Sequence, residues 1–356
     1  MPLKINHAIL HVFDFVACEN TFAVEEIDLT NKNAKNYVSR MAKKGLENLD
    51  NMHGSFAEGS TFAAELSAYF AGARDFVGLS AQIGEFLVGE LGHMEKTPSC
   101  DLLVVDFEDS GDAPAPDADA DNQEALAAFS ARTNRYFALF ILERKQAYMH
   151  ELDYGETGPR NGILRNYATL PSPSQKLTSY AVVNLRNLEV LFCDKPRTIA
   201  GEERWLIPDG LLQCSMEASS KETFTAVTEI VEAVAEEFGM NTAVATSKAK
   251  AYATQNAEES DDLDLVELAV DIFEDDEVIM ARFHEEVQQR QMPDQVPLEP
   301  KAVKRVAKNH KIRTDTGIEI TFPAEYSQNP EYMTFTSEAD GTISIQLKNI
   351  GHLENR

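Results

Sequence analysis

The stretches "DLLVVDF" (101–107) and "RYFALFILER" (135–144) are short runs of leucine, β-branched and aromatic residues, each closed by charged residues. Runs of this length and composition read as strands of a sheet. "SYAVVNL" (179–185) and "LEVLFCD" (188–194) repeat the pattern, so a sheet occupies the middle of the chain. Upstream, "INHAILHVFDF" (5–15) and "TFAVEEIDL" (21–29) alternate as two opening strands. Three helical stretches separate them from the central runs. One carries Ala34, Tyr37, Val38 and Met41; "STFAAELSAYF" (60–70) is the second; the third runs through Phe76, Leu79, Ile83, Phe86, Leu87 and Leu91.

Beyond "DKPRTIAGEERW" (194–205) the strand pattern stops. "SSKETFTAVTEIVEAVAEEFG" (219–239) opens on a capping box, Ser219 with Glu222, and closes on Gly239. Helical spacing continues through 261–292, and Pro293, Pro297 and Pro300 then interrupt it. "GIEITF" (317–322), "EYMTFTS" (331–337) and "GTISIQLKN" (341–349) predict a terminal antiparallel meander, its last turn at Asp340-Gly341. The expected fold class is α+β in two domains. Residues 1–200 form an N-terminal domain of helices and a mixed or antiparallel sheet. Residues 201–356 form a helical domain ending in the small β-meander.

The totals restrict the function. Fifty-nine acids against 32 bases give a formal net charge of -27 in 356 residues, so the average surface repels phosphate backbones and anionic membranes. A simple basic DNA-coating protein is excluded. Residues 108–130 add to the acidity as an insertion of alternating Pro, Ala and Asp, which reads as solvated. Cys18, Cys100, Cys193 and Cys214 are too far apart for a zinc ribbon and read as buried free thiols. The N-terminus lacks the apolar core of a signal peptide, and no run of about 18 apolar residues occurs, so a reducing cytoplasm is expected.

Against this background "KAVKRVAKNHKIRTDTG" (301–317) is a basic island with six Lys or Arg in its first thirteen residues. On a helix over 301–313, Lys301, Lys304, Arg305 and Lys308 share one face, and Val303, Val306, Ala307 and His310 share the other. Two readings compete. The cations, with Lys311 and Arg313, contact DNA phosphates. Alternatively, they neutralise the acidic helices before them, where residues 258–299 hold fifteen acids against Arg282 and Arg290.

No GxxxxGK[ST], GxGxxG, HExxH or GxSxG motif occurs. His7 and His11 lie on a strand, too far apart to share a metal. One constellation could carry catalysis. Asp101 and Asp106, with Glu143 and Lys145 in "LFILERK", are similar to the carboxylate and lysine set of a PD-(D/E)xK nuclease, where carboxylates hold Mg²⁺ and the lysine helps activate water.

The opening "INHAILHVFD", the "HKIRTDTGIEITFPAEY" segment and above all "DGTISIQLKNIG" (340–351) resemble the bacterial nucleoid-associated protein family (NdpA-like), in the same order along the chain. The resemblance implies a non-enzymatic cytoplasmic protein of the nucleoid with no catalytic residues and no cofactor to transfer. Its implied partners are DNA, met directly or through other nucleoid proteins, with room for a homo-oligomer and no membrane. The strong acidity departs from what tight non-specific DNA binding requires. The metal-dependent nuclease remains the alternative.

Overall fold

The computed structural model describes residues 3–110, 133–155, 158–274, 276–338, 342–352 and 354. The acidic insertion expected at 108–130 lies, beyond Ser110, outside the described residues. The chain divides into two compact units, Met1–Glu217 and Ala218–Arg356. Residues 201–217, assigned by sequence to the second domain, belong to the first unit. Leu206, Ile207, Leu211 and Leu212 of the π-helical turn Leu206–Leu212 are buried in its core.

The first unit holds β1 (Lys4–Asp14), β2 (Glu19–Thr21), α1 (Lys32–Leu46), β3 (Met52–Gly54), α2 (Thr61–Phe70), α3 (Phe76–Leu91), β4 (Cys100–Asp109) and β5 (Asn134–Glu143). After these come β6 (Lys145–Gly155), β7 (Gly158–Thr169), β8 (Tyr180–Asn184), β9 (Val190–Cys193), β10 (Pro196–Ile199) and β11 (Glu202–Trp205). Seven strands form one sheet in the order β2-β1-β4-β5-β8-β9-β3, every neighbouring pair antiparallel.

The apolar runs 101–107 and 135–144 are the middle of this sheet. β4 and β5 pair without a register shift from Cys100↔Glu143 to Asp109↔Asn134. Their apolar residues are continuous because both faces are covered. Leu102, Val104, Phe137 and Leu139 pack on the side that holds Leu66 of α2 and Leu79, Ile83 and Leu87 of α3. Leu103, Val105, Phe140 and Leu142 pack on the side that holds Val38, Met41 and Ala42 of α1. The result is three layers: one helix, the sheet, two helices.

The second opening strand, expected at 21–29, does not form there: the strand that pairs with the end of β1 is Glu19–Thr21, and residues 22–29 run as loop and turn. Beyond it, Phe22 turns its ring towards His11 and Phe13, and Asp28 spends its carboxylate on the backbone and hydroxyl of Thr30. The four thiols are free as expected, but only Cys100 is buried and Cys18 is exposed.

The second unit contains α4 (Ser220–Glu237), α5 (Thr242–Asn256), β12 (Asp262–Asp264), α6 (Leu265–Phe273), α7 (Glu277–Gln289), β13 (Gln295–Pro297) and α8 (Pro300–Val306). It ends in β14 (Asn309–Arg313), β15 (Glu319–Pro323), β16 (Met333–Ser337) and β17 (Ile343–Leu347). The expected capping box starts α4: the Glu222 carboxylate accepts from the Ser219 amide, and Ser219 Oγ accepts from the Glu222 amide. Gly239, just past that helix, takes the left-handed conformation at φ 69° that ends it. The buried alanines Ala245, Ala249 and Ala253 let α5 lie close to its neighbours, and its burial on several sides explains why it lacks a clean apolar stripe.

The α+β class holds, and strands close the chain where the sequence placed them. Their pairing differs from a three-stranded meander. β15 pairs with β14, and β16 pairs with β17, as two separate hairpins. Strand β14 stands where the sequence predicts the continuation of a helix over 301–313. No helix among the described residues is long and apolar enough to cross a membrane.

Gly45 marks the closest approach of α1 to the sheet: a Cβ there would lie 2.8 Å from Phe140 Cε1 and 3.3 Å from Val182 Cγ2. Gly45→Val should therefore cost about 1–3 kcal/mol through overpacking. Urea unfolding measures this; an unchanged midpoint would mean that the layers separate easily.

Candidate nucleic-acid interface

The basic island is split between two elements. Pro300 starts α8 at its first position, where a missing N–H costs nothing, and the helix closes at Ala307. The expected helix over 301–313 thus stops after Val306. Residues 309–313 then alternate, Asn309, Lys311 and Arg313 exposed, His310 buried and Ile312 half-buried, the period of a strand pairing with β15. The period-two signal was present in "NHKIR" and was masked by the longer helical period before it.

All six predicted cations remain exposed: Lys301, Lys304, Arg305 and Lys308 around α8, Lys311 and Arg313 on the outer face of β14. Their apolar partners Ala302, Val303 and Ala307 point into the core of the second unit. Neutralisation by the acidic helices is slight. Lys304 meets Glu258 at 3.7 Å, and Lys311 meets Glu319 of the neighbouring strand at 2.8 Å. Lys301, Arg305, Lys308 and Arg313 have no carboxylate within ion-pair distance among the described residues.

A second basic surface escaped the sequence reading. Residues 30–46 contain Lys32, Lys35, Arg40, Lys43 and Lys44 and no acid. On α1, Val38, Met41, Ala42 and Gly45 face the sheet, which leaves Lys32, Lys35, Arg40 and Lys43 exposed. Among the described residues only Lys43 has a carboxylate partner there, Glu47 at 3.7 Å, while Lys44 donates to the Pro173 and Gln175 carbonyls. The charge count alone could have flagged this helix.

The nuclease constellation does not assemble. Asp101 and Asp106 are five residues apart on one strand and face opposite sides of the sheet. Each is held by an arginine. Arg144 Nε donates to Asp101 at 3.0 Å and its Nη1 to Asp14 at 3.1 Å. Arg135 donates to both oxygens of Asp106, which also accepts from Tyr69 at 2.5 Å and from Asn6 at 2.9 Å. Burial raises the Asp101 carboxyl above its usual range, with Arg144 pulling the other way, and burial together with the Asp106 hydrogen bond raises the Tyr69 phenol. Glu143 pairs with Lys195 at 2.8 Å, and Lys145 begins a separate hairpin. No group of three or more His, Cys, Asp or Glu among the described residues could hold a metal. His7 contacts Glu26, and the buried His11 contacts Ser80 Oγ and accepts from the Ala23 amide.

The model of the family described as nucleoid-associated protein YejK matches residues 9–353, nearly the whole of both units. The chain belongs to that family. No curated protein matches it. Membership makes this a nucleoid-associated protein and agrees with a fold whose strand-borne carboxylates are structural. In this YejK-family chain of net charge -27, α1 and the α8–β14 segment each expose several cations without a carboxylate partner among the described residues.

Because Asp106 is fully buried and its partners would be left unpaired, Asp106→Ala should cost about 3–5 kcal/mol. Urea denaturation of the full chain tests this, and a cost below about 1 kcal/mol would remove the ion pair from the account of the sheet. A second expectation concerns His310. It is buried against Phe322, with no hydrogen bond to either ring nitrogen among the described residues. Burial, then the charge of Lys250, lowers its pKa to about 4. The unfolded chain takes up a proton near pH 6.5 and the folded chain does so only near 4, so stability falls as pH drops through that window. The loss between pH 7 and 5 should be about 2 kcal/mol. His310→Phe should abolish that part of the acid dependence in urea titrations at the two pH values.

Proposed function

We propose that this nucleoid-associated protein is a non-enzymatic binder that touches DNA through the cations of α8 and β14, Lys301, Lys304, Arg305, Lys308, Lys311 and Arg313. The observation that carries the reading is that four of these six have no carboxylate partner among the described residues, although the chain carries a net charge of -27. Exposed, uncompensated cations are what phosphate contacts require. The basic face of α1 serves as a second contact region in the first unit. The surrounding acidity sets the character of the binding: few phosphates engaged, a salt dependence in proportion to that small number, and little sequence readout. The partners are therefore DNA and other nucleoid proteins, and the location is the cytoplasmic nucleoid.

A quadruple variant with Lys301, Lys304, Arg305 and Lys308 changed to Gln tests the reading. DNA affinity should fall, and the slope of log affinity against log salt should flatten by up to about 0.9 per lost contact. Melting should hardly move, because the one ion pair these four make among the described residues is exposed and contributes at most about 1 kcal/mol. An unchanged salt slope would take the α8 face out of DNA binding. The variant Lys32→Gln with Lys35→Gln and Arg40→Gln, measured in parallel, apportions the contact between the two units.

A further inference from the structure

β6 and β7 form a two-stranded ribbon of eleven and twelve residues that joins no other sheet. None of its described residues is buried. Isolated two-stranded ribbons are marginally stable in water, and long exposed strands with large apolar side chains are surfaces that a partner covers. The side chains are of that kind: Tyr148, Tyr154 and Ile163 are 72%, 75% and 79% exposed.

The register sorts them. Tyr148 lies opposite Arg165, His150 opposite Ile163, Leu152 opposite Asn161, and Tyr154 opposite Pro159. With the pleat's period of two, Tyr148, Leu152, Tyr154, Ile163, Arg165 and Tyr167 share one face. No carboxylate interrupts that face, and the Arg165 guanidinium lies over the rings of Tyr148 and Tyr167. Glu151 and Asp153 point to the other side.

We infer that the occupant of this face is a second copy of the chain, and that two copies exchange their ribbons as reciprocal arms. Charge argues for protein rather than nucleic acid. Residues 145–169 carry Lys145, Arg160 and Arg165 against Glu151, Asp153 and Glu156, so the ribbon offers phosphates no net attraction. Tyrosine, arginine and aliphatic side chains with few carboxylates are the composition of protein interface centres. For a chain of net charge -27, self-association must also run through a surface free of acids, which this face provides.

Area argues for reciprocity. Eleven residues at about 3.3 Å each, across two strands about 10 Å wide with their side chains, give a face of about 360 Å². Docked once onto an unrelated protein, that is well below the roughly 800 Å² per partner of a stable interface. In an exchange, each copy buries its own face and the surface that receives the other arm, about 720 Å² per copy, which approaches that size. The inference does not depend on the DNA contacts of α8 or α1.

Sedimentation velocity of the full chain over a range of concentrations tests it. The expected species is a dimer of the 39.6 kDa chain. Tyr154→Ser with Ile163→Asp should raise the dissociation constant at least tenfold while circular dichroism and melting stay as in the wild type, since exposed positions rarely affect stability. Replacing 146–168 by a short Gly-Ser link should give a folded monomer. Val24→Asp, at a residue 82% exposed elsewhere in the first unit, should leave the dimer intact. A wild type that stays monomeric, or a dimer that survives both ribbon variants, overturns the inference. So does a monomeric wild type whose ribbon variants lose DNA binding, which would give the ribbon to nucleic acid.

Discussion

The paired strands β4 and β5 are covered on both faces, and this burial sets the terms for the rest of the first unit. A strand in that position can satisfy its backbone only through its ladder, which is why ten residues pair without a shift. Any charged side chain on it must bring its own partner. Asp101 and Asp106 meet that requirement with Arg144 and Arg135, both supplied by β5 or the residue after it. The hairpin thus carries both halves of its ionic contacts. One side is held additionally by Tyr69 and Asn6, the other by Asp14. Charges that could pass for a metal site in one dimension are the anchors of the sheet in three.

The distribution of charge separates stability from association in the same way. Arg135, Arg144 and Arg197 are spent on carboxylates of the first unit, and Arg282 and Arg290 on the acidic surfaces of α4 and α7. The cations left over are concentrated on α1 and on the α8–β14 segment. Exposed pairs contribute little to folding, so a surplus of lysine at the surface has small structural value and a large effect on encounters with polyanions.

How much could be read from the sequence varies with the kind of signal. Long apolar runs identified β4, β5, β8 and β9, and the Ser219–Glu222 box with Gly239 bounded α4 to within a residue, because each reflects local chemistry. The island's six cations were visible, but their distribution over a helix and a strand was not, since Pro300 announces a helix and nothing in "KNH" announces its end as Gly or Pro would. The ribbon was invisible for a different reason. In "KQAYMHELDYG" Tyr148, Leu152 and Tyr154 share a face opposite Glu151 and Asp153, but Gln146 and His150 on that face and Ala147 and Met149 on the other blur the alternation. The opposite orientations of Asp101 and Asp106 were implied by their odd spacing once the strand was accepted. The basic face of α1 required only a charge count, and the contrast with the -27 total drew attention to the denser cluster near the C-terminus.

The central sheet ends on β2 and β3, each only three residues long. Such short borders offer an incoming strand almost no row of free amides and carbonyls to copy. The broad, well-filled middle of the sheet is consequently flanked by short stubs at its two borders. At these two borders an approaching strand finds little to copy, in contrast to the long open edges of β6 and β7.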